Sequence, residues 1–448
     1  MWTDNLGNPV SLQHEGSLPG LNDFVDGFIA SEARAANILQ TAAVDASPLV
    51  QAYAAAIHMF AETRAASGNA RPFVERAVAS PLTGTRRERG FVGAVKAWVD
   101  GDVHQSSALL EQHVREFPRD LVALKLAHYH LFNLGNSPAM LRVALAALPA
   151  AADVPYLHGM LAVAWEQCHL LEEAEAAARH ALAMQRKEPW AHHALAHVML
   201  TQGRIHEGHR FLADVSDSWV GLNSFMVTHN WWHQALFALE LESHDEALAL
   251  YDGQVWGVAK DYSQDQVNAI SLLARLELAG ADVGSRWQDL ADHLLAHLGD
   301  QVLPFLDMQY LYGLARAGRP EADTLLRNIE THAAQAPAAS QHTWQRVCVP
   351  ASRGLLAHAR GDWRVAADEL GHALPRMAEI GGSHAQRDLF SQVQLDALVR
   401  SGNLAAAQHL LQQQLRGQPE SLRLRRQAAS VYAGLGLGAV ARTLDPSS

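Results

Sequence analysis

Two phrases in the middle of the chain set a fixed period. Leu171-Glu172-Glu173-Ala174-Glu175-Ala176-Ala177 is followed by Gly203-Arg204-Ile205-His206-Glu207-Gly208, and Glu173 and Glu207 stand 34 residues apart. That step is the length of a tetratricopeptide repeat, two antiparallel helices joined by a tight turn. Weaker copies begin at His244-Asp245-Glu246-Ala247, Gly318-Arg319-Pro320-Glu321-Ala322, Gly361-Asp362-Trp363 and Gly402-Asn403-Leu404. One helix pair cannot bury its own apolar face, so such pairs stack on their neighbours. The expected fold is all-α: a tetratricopeptide-like, right-handed superhelical solenoid of antiparallel helix pairs.

Residues 51–448 are assigned to the repeats. Residues 1–50, with Gly7-Asn8-Pro9, are expected to form an irregular N-terminal segment packing on them. Proline suits the first turn of a helix, where its missing N–H has no partner to lose. Pro138, Pro155, Pro189, Pro304 and Pro419 are therefore placed at helix starts, and Thr331 to Ser340 is read as a longer loop between repeats.

Composition narrows the function. Apolar residues make up 49% of the chain, enough for an extended core. A net charge of −12 with 35 Lys and Arg argues against non-specific nucleic-acid binding. No run of 18 apolar residues occurs, so no membrane span is expected. The start at Met1-Trp2-Thr3-Asp4 has no basic segment leading into an apolar run, so no secretory leader is expected. Two cysteines, Cys168 and Cys348, fit reduced core thiols in the cytoplasm. The charge runs Arg86-Arg87-Glu88-Arg89 and Arg423-Leu424-Arg425-Arg426 read as solvated faces.

The chemistry-bearing residues are concentrated. Eleven of the 25 histidines fall between His158 and His244. Counted back from the turn at Gly203, Trp190, His193 and His197 share one face of a first helix. His229 and His233 are again four apart, and Glu166 falls on the corresponding face of the preceding repeat. The expected concave wall thus carries Glu166, His193, His197, His229 and His233 as candidates for acid–base chemistry, beside Tyr156, His158, Trp190, Asn230 and Trp232 as ligand contacts. Polar, titratable and aromatic groups converging in a concavity are the usual sign of a small-ligand site. No Glu lies inside either histidine pair, so the helical zinc signature is incomplete and no metal is assigned. Neither is any other cofactor.

The order Trp2-Thr3-Asp4, Ala123-Leu124-Lys125-Leu126-Ala127-His128, His158-Gly159-Met160, Ala196-His197-Val198, His229-Asn230-Trp231-Trp232-His233, Leu250-Tyr251-Asp252, Arg286-Trp287, Pro304-Phe305-Leu306-Asp307 and Gly382-Ser383-His384-Ala385-Gln386-Arg387-Asp388 resembles tetratricopeptide repeat protein 38 and its bacterial relatives. The resemblance spans nearly the whole chain. It implies a curled helical-repeat fold and no particular reaction. It departs at Gln309, where the family pattern has a histidine. With Ser383 as a helix cap, Asp307, Gln386, Arg387 and Asp388 join the candidate ligand contacts. A curled chain would bring Arg387 back toward the histidines as a clamp for a carboxylate or phosphate.

The expected function is a helical-repeat protein binding a small molecule in a His/Trp-lined concave pocket, enzymatic activity being one form of it. The alternative is a protein–protein interaction scaffold of the tetratricopeptide type. Nucleic acid and membrane are not expected partners.

Overall fold

A computed structural model describes residues 1–80 and 82–445. Among the described residues the regular structure is helical, apart from two two-residue strands and one isolated bridge. The strands Trp2–Thr3 and Pro9–Val10 pair antiparallel. The first fifty residues are thus more regular than expected, with this small hairpin followed by a helix at Leu18–Ala30.

The chain divides into two compact units. One comprises Met1–Leu195 and Val215–Val227, the other Ala196–Asp214 and Thr228–Ser448. The division passes within the continuous helix Pro189–Thr201. In the first unit the pairs include Arg86–Val99 with Val103–Glu116, Leu121–Asn133 with Ser137–Ala151, and Pro155–Gln167 with Leu171–Met184. In the second they include Ser263–Leu278 with Arg286–Leu294, Pro304–Arg316 with Glu321–Gln335, and His384–Arg400 with Leu404–Gly417. The all-α helical-repeat architecture holds in both. No described helix is long and apolar enough to cross a membrane.

The turn inside each pair explains the period. A residue with left-handed backbone recurs at Gly101, Gly135, His169 and Gly203, 34 residues apart at each step. It recurs at wider steps at Glu242, Gly280, Gly318, Gly361 and Gly402, and again after 34 residues at Gly436. The residue that follows donates its N–H five positions back, as in Asn136 to Leu131 (2.8 Å), Leu170 to Trp165 (3.0 Å) and Arg204 to Met199 (2.8 Å). This closes the helix end with the bond pattern of a Schellman motif. Where that next residue is Asp or Asn, it also caps the following helix: Asp102 accepts from Gln105, and Asn136 from Ala139. Two residues therefore end one helix and start the next.

The second helices pack through small side chains. Ala174, Ala178 and Ala181 of Leu171–Met184 are fully buried. At Gly208 any Cβ would stand 2.2 Å from the Phe237 ring, so only glycine allows that approach.

Four sequence readings change. Thr331 to Ser340 is mostly helix, ending Glu321–Gln335 and opening Ala338–Thr343, because its alanines favour helix over loop. Pro419 lies in the turn before Leu422–Gly434, whose cap is Ser421, whereas Pro138, Pro155, Pro189 and Pro304 do sit in first turns. Arg87 and Glu88 are buried. Arg87 pairs with Asp120 at 2.7 Å, and Glu88 forms a capping box with Thr85 while accepting from Ser11. Arg423 pairs with Glu240 at 3.0 Å, and Leu424 is core. Of the cysteines, Cys348 is buried and Cys168 half-buried; both are free thiols.

Candidate functional site

Helix Pro189–Thr201 is buried almost all round: every residue from Ala191 to Met199 lies in the interior. Its start is fixed by Glu188, a fully buried residue whose Oε2 accepts from the Ala191 N–H. Burial pushes the Glu188 carboxyl up to about 8. Gly159 makes room for it, since a Cβ there would stand 2.4 Å from the carboxylate. The glycine of His158-Gly159-Met160 is thus a packing requirement.

His193 and His197 project from one face of this helix, and His229 and His233 from one face of Ser224–Glu240. One ring nitrogen from each of the four lies within 4.8 Å of those of the other three. Their exposures are 5%, 1%, 2% and 0% in that order. His197, His229 and His233 all belong to the second unit, and His193 is one turn before His197 on the same continuous helix. The His197 and His233 rings are 4.5 Å apart, and His229 and His233 are 4.9 Å apart with planes near perpendicular at 82°.

A buried relay fixes the state of His229. The Thr228 hydroxyl donates to Asp265 Oδ1, so Thr228 Oγ1 accepts from Asn268 Nδ2 at 3.3 Å. Asn268 Oδ1 then faces His229 Nδ1 at 2.9 Å. An amide oxygen only accepts, so Nδ1 carries the proton and Nε2 the lone pair. Burial lowers this imidazole to about 3, which keeps it neutral at physiological pH. Asp265, Asn268 and Arg275 come from Ser263–Leu278, which the sequence reading passed over. The signal was present: Asp265, Asn268 and Arg275 recur at helical spacing on a helix otherwise rich in Leu, Ile and Ala.

Aromatic groups wall this centre. Trp232 is fully buried, and its ring is stacked on His229. Trp190 meets His193 edge-on at 5.4 Å and donates to Ser31 Oγ at 2.9 Å. Asn230 is fully buried, and neither its amide nitrogen nor its oxygen has a hydrogen-bond partner among the described residues.

The other candidates have local roles. Glu166 is buried and accepts from Gln167 at 2.5 Å; it is not in the close four-histidine group. Tyr156 accepts from Gln185 at 2.6 Å, and His158 Nε2 donates to the Ala152 carbonyl at 2.8 Å. Asp307 is buried, accepts from Gln301 at 3.1 Å and is pushed up to about 8 by burial. Gln309 donates to the Phe305 carbonyl. Ser383 and Gln386 form a reciprocal cap on His384–Arg400. Arg387 turns back to the Gly381 and Gly382 carbonyls, and Asp388 accepts from Gln392 and Arg423. The guanidinium beside Trp232 is that of Arg275, 5.4 Å from the ring centroid, which also donates to the Ala385 carbonyl at 2.6 Å.

No protein-family model matches the chain. Among solved structures it is similar to the human IFIT1 dimer with m7Gppp-AAAA, at 11% identity over 99% of this chain and 96% of that one, with a TM-score of 0.45. It is also similar to the P58(IPK) TPR domain, at 11% identity over 80% of this chain and 91% of that one, with a TM-score of 0.24. Likenesses this distant carry no argument, and the helical-repeat fold rests on the helix pairs above.

Proposed function

We propose that this chain is a ligand-binding helical-repeat protein of the tetratricopeptide repeat protein 38 type, with His193, His197, His229 and His233 as its binding centre. The observation that carries the reading is the convergence of four buried ring nitrogens within 4.8 Å. A repeat that only stacks on its neighbours needs apolar side chains at these positions. Four imidazoles, a buried Asn230 amide and the Asp265–Thr228–Asn268 relay are a polar investment that packing does not call for. The near-complete burial of the rings makes the ligand small. Any turnover would use His229 as a neutral donor or acceptor, the state its relay prescribes. A cytoplasmic setting suits the two free thiols.

The test is native mass spectrometry of the purified chain beside His193→Gln and His229→Gln. A bound species present in the parent and lost from both folded variants is the expected result. A parent that carries and takes up nothing, with a protein partner captured independently of both histidines, would replace this reading with the interaction scaffold.

A further inference from the structure

We propose that His193, His197, His229 and His233 form a binding site for one divalent first-row transition-metal ion. The proposal rests on the ligand-centre reading above and names its ligand class.

The geometry carries it. Two histidine pairs with i,i+4 spacing, one from each of two helices, put four nitrogen donors within 4.8 Å of one another. With metal–nitrogen bonds of about 2.0–2.1 Å, tetrahedral donors stand about 3.3 Å apart. Closing from the observed spacing requires only modest rotation of the rings. The helix backbones already hold both pairs in place.

The donor set selects the metal. Four imidazoles with no carboxylate or thiolate suit zinc, copper, nickel or cobalt and do not suit calcium or magnesium, which take oxygen ligands. The surroundings of His229 match a ligating histidine. Its Nδ1 hydrogen is donated to Asn268 Oδ1 at 2.9 Å, leaving the lone pair on Nε2. A ligating histidine characteristically passes its other N–H to such an acceptor, which fixes tautomer and ring orientation. Here the acceptor is itself anchored through the Thr228 hydroxyl to the buried Asp265, so a hydrogen-bonded chain of three side chains holds the ring in place. The sequence pattern set a metal aside because neither pair contains a Glu. That criterion describes one hydrolytic motif, whereas here the two pairs supply a full donor set across two helices.

The experiment uses the full chain, stripped with a chelator and titrated with zinc, and separately with cobalt for its ligand-field spectrum. The expected result is one tightly bound equivalent, a tetrahedral nitrogen-type cobalt spectrum and a rise in melting temperature on zinc addition. His229→Gln should lose at least 100-fold in zinc affinity. Asn268→Ala leaves all four donors in place, so it decides the matter if the histidine variant does not fold. It should weaken zinc by about 10–100-fold. Zinc affinity unchanged in both variants means binding by other histidines of the chain and overturns the proposal. If no metal binds the parent but a small organic molecule does, and His229→Gln abolishes it, the metal assignment fails and the ligand-centre reading stands. If neither binds and the variants merely melt lower, both fail.

Discussion

The indole of Trp232 lies flat against the imidazole of His229, with centroids 5.2 Å apart and planes within 10°. The stack fixes the ring plane of His229, as the Asn268 bond fixes its tautomer. Trp232 is fully buried, and its Nε1–H has no partner among the described residues. Trp232→Phe should therefore cost markedly less than Trp232→Ala, for which about 3–5 kcal/mol is expected. Thermal melting of the two variants checks this. Equal losses would show that stacking contributes nothing to holding His229.

Asp307 should make stability fall with pH. Burial raises its carboxyl to about 8, whereas in the unfolded chain it ionises near about 3.9. Between those values the unfolded state gives up its proton and the folded state keeps it, so stability declines as pH rises through that window. Asp307→Asn cannot ionise. Its stability, followed by thermal melting, should match that of the parent near pH 4 and exceed it increasingly toward pH 8, by on the order of 1–3 kcal/mol at the top. A difference that does not change with pH would contradict the assignment.

Arg87 and Asp120 form a buried pair at 2.7 Å, with His113 Nε2 on the same carboxylate at 2.9 Å. Burial alone would raise the Asp120 carboxyl, but Arg87 and His113 outweigh it and hold the group well below the usual carboxylate range. The stability this supplies is present above the unfolded value and is lost as pH falls into strong acid. Arg87→Met strands the carboxylate and should cost about 3–5 kcal/mol at neutral pH. Part of that loss should vanish in acid, where Asp120 protonates more readily in the variant. Equal loss at all pH values would assign the effect to packing.

Two glycines separate space from backbone conformation. Gly208 has ordinary backbone but no room, with Phe237 2.2 Å from any Cβ. Gly280 has open space around it but a φ of +87°. Gly208→Ala should cost about 1–3 kcal/mol by overpacking, and Gly280→Ala about 1–2 kcal/mol by strain alone. Adding Phe237→Leu should relieve the first substitution and leave the second unaffected, read as melting temperatures.

The fold was legible because its signal is local. The 34-residue step was legible from Glu173 and Glu207, each four residues past a turn residue of left-handed backbone, His169 and Gly203. The wider steps were visible from the turn glycines Gly318, Gly361 and Gly402, the last two followed by a capping Asp or Asn. The histidine centre was legible as two i,i+4 pairs, since helical spacing alone puts each pair on one face. Asn268, Thr228, Asp265 and Arg275 were not read, because their roles depend on which helices become neighbours. The burial of Arg87 has the same cause: its partner Asp120 lies 33 residues away, in the next repeat. Ser383 was visible as a cap, but the folded partners of Arg387 and Asp388 could not be read from spacing.

The turns have a consequence for how such a chain can change length. Each is closed by bonds spanning six residues, so it forms irrespective of how long the flanking helices are. The interval between turns can therefore grow from 34 residues to the 43 separating Gly318 from Gly361, with no correction passed to the next pair. Even the substitution of glycine by His169 or Glu242 is absorbed within its own turn. Insertions and deletions are thus confined to the pair in which they occur. A cluster held by two neighbouring helices, such as the four histidines, can persist while the rest of the chain drifts in length.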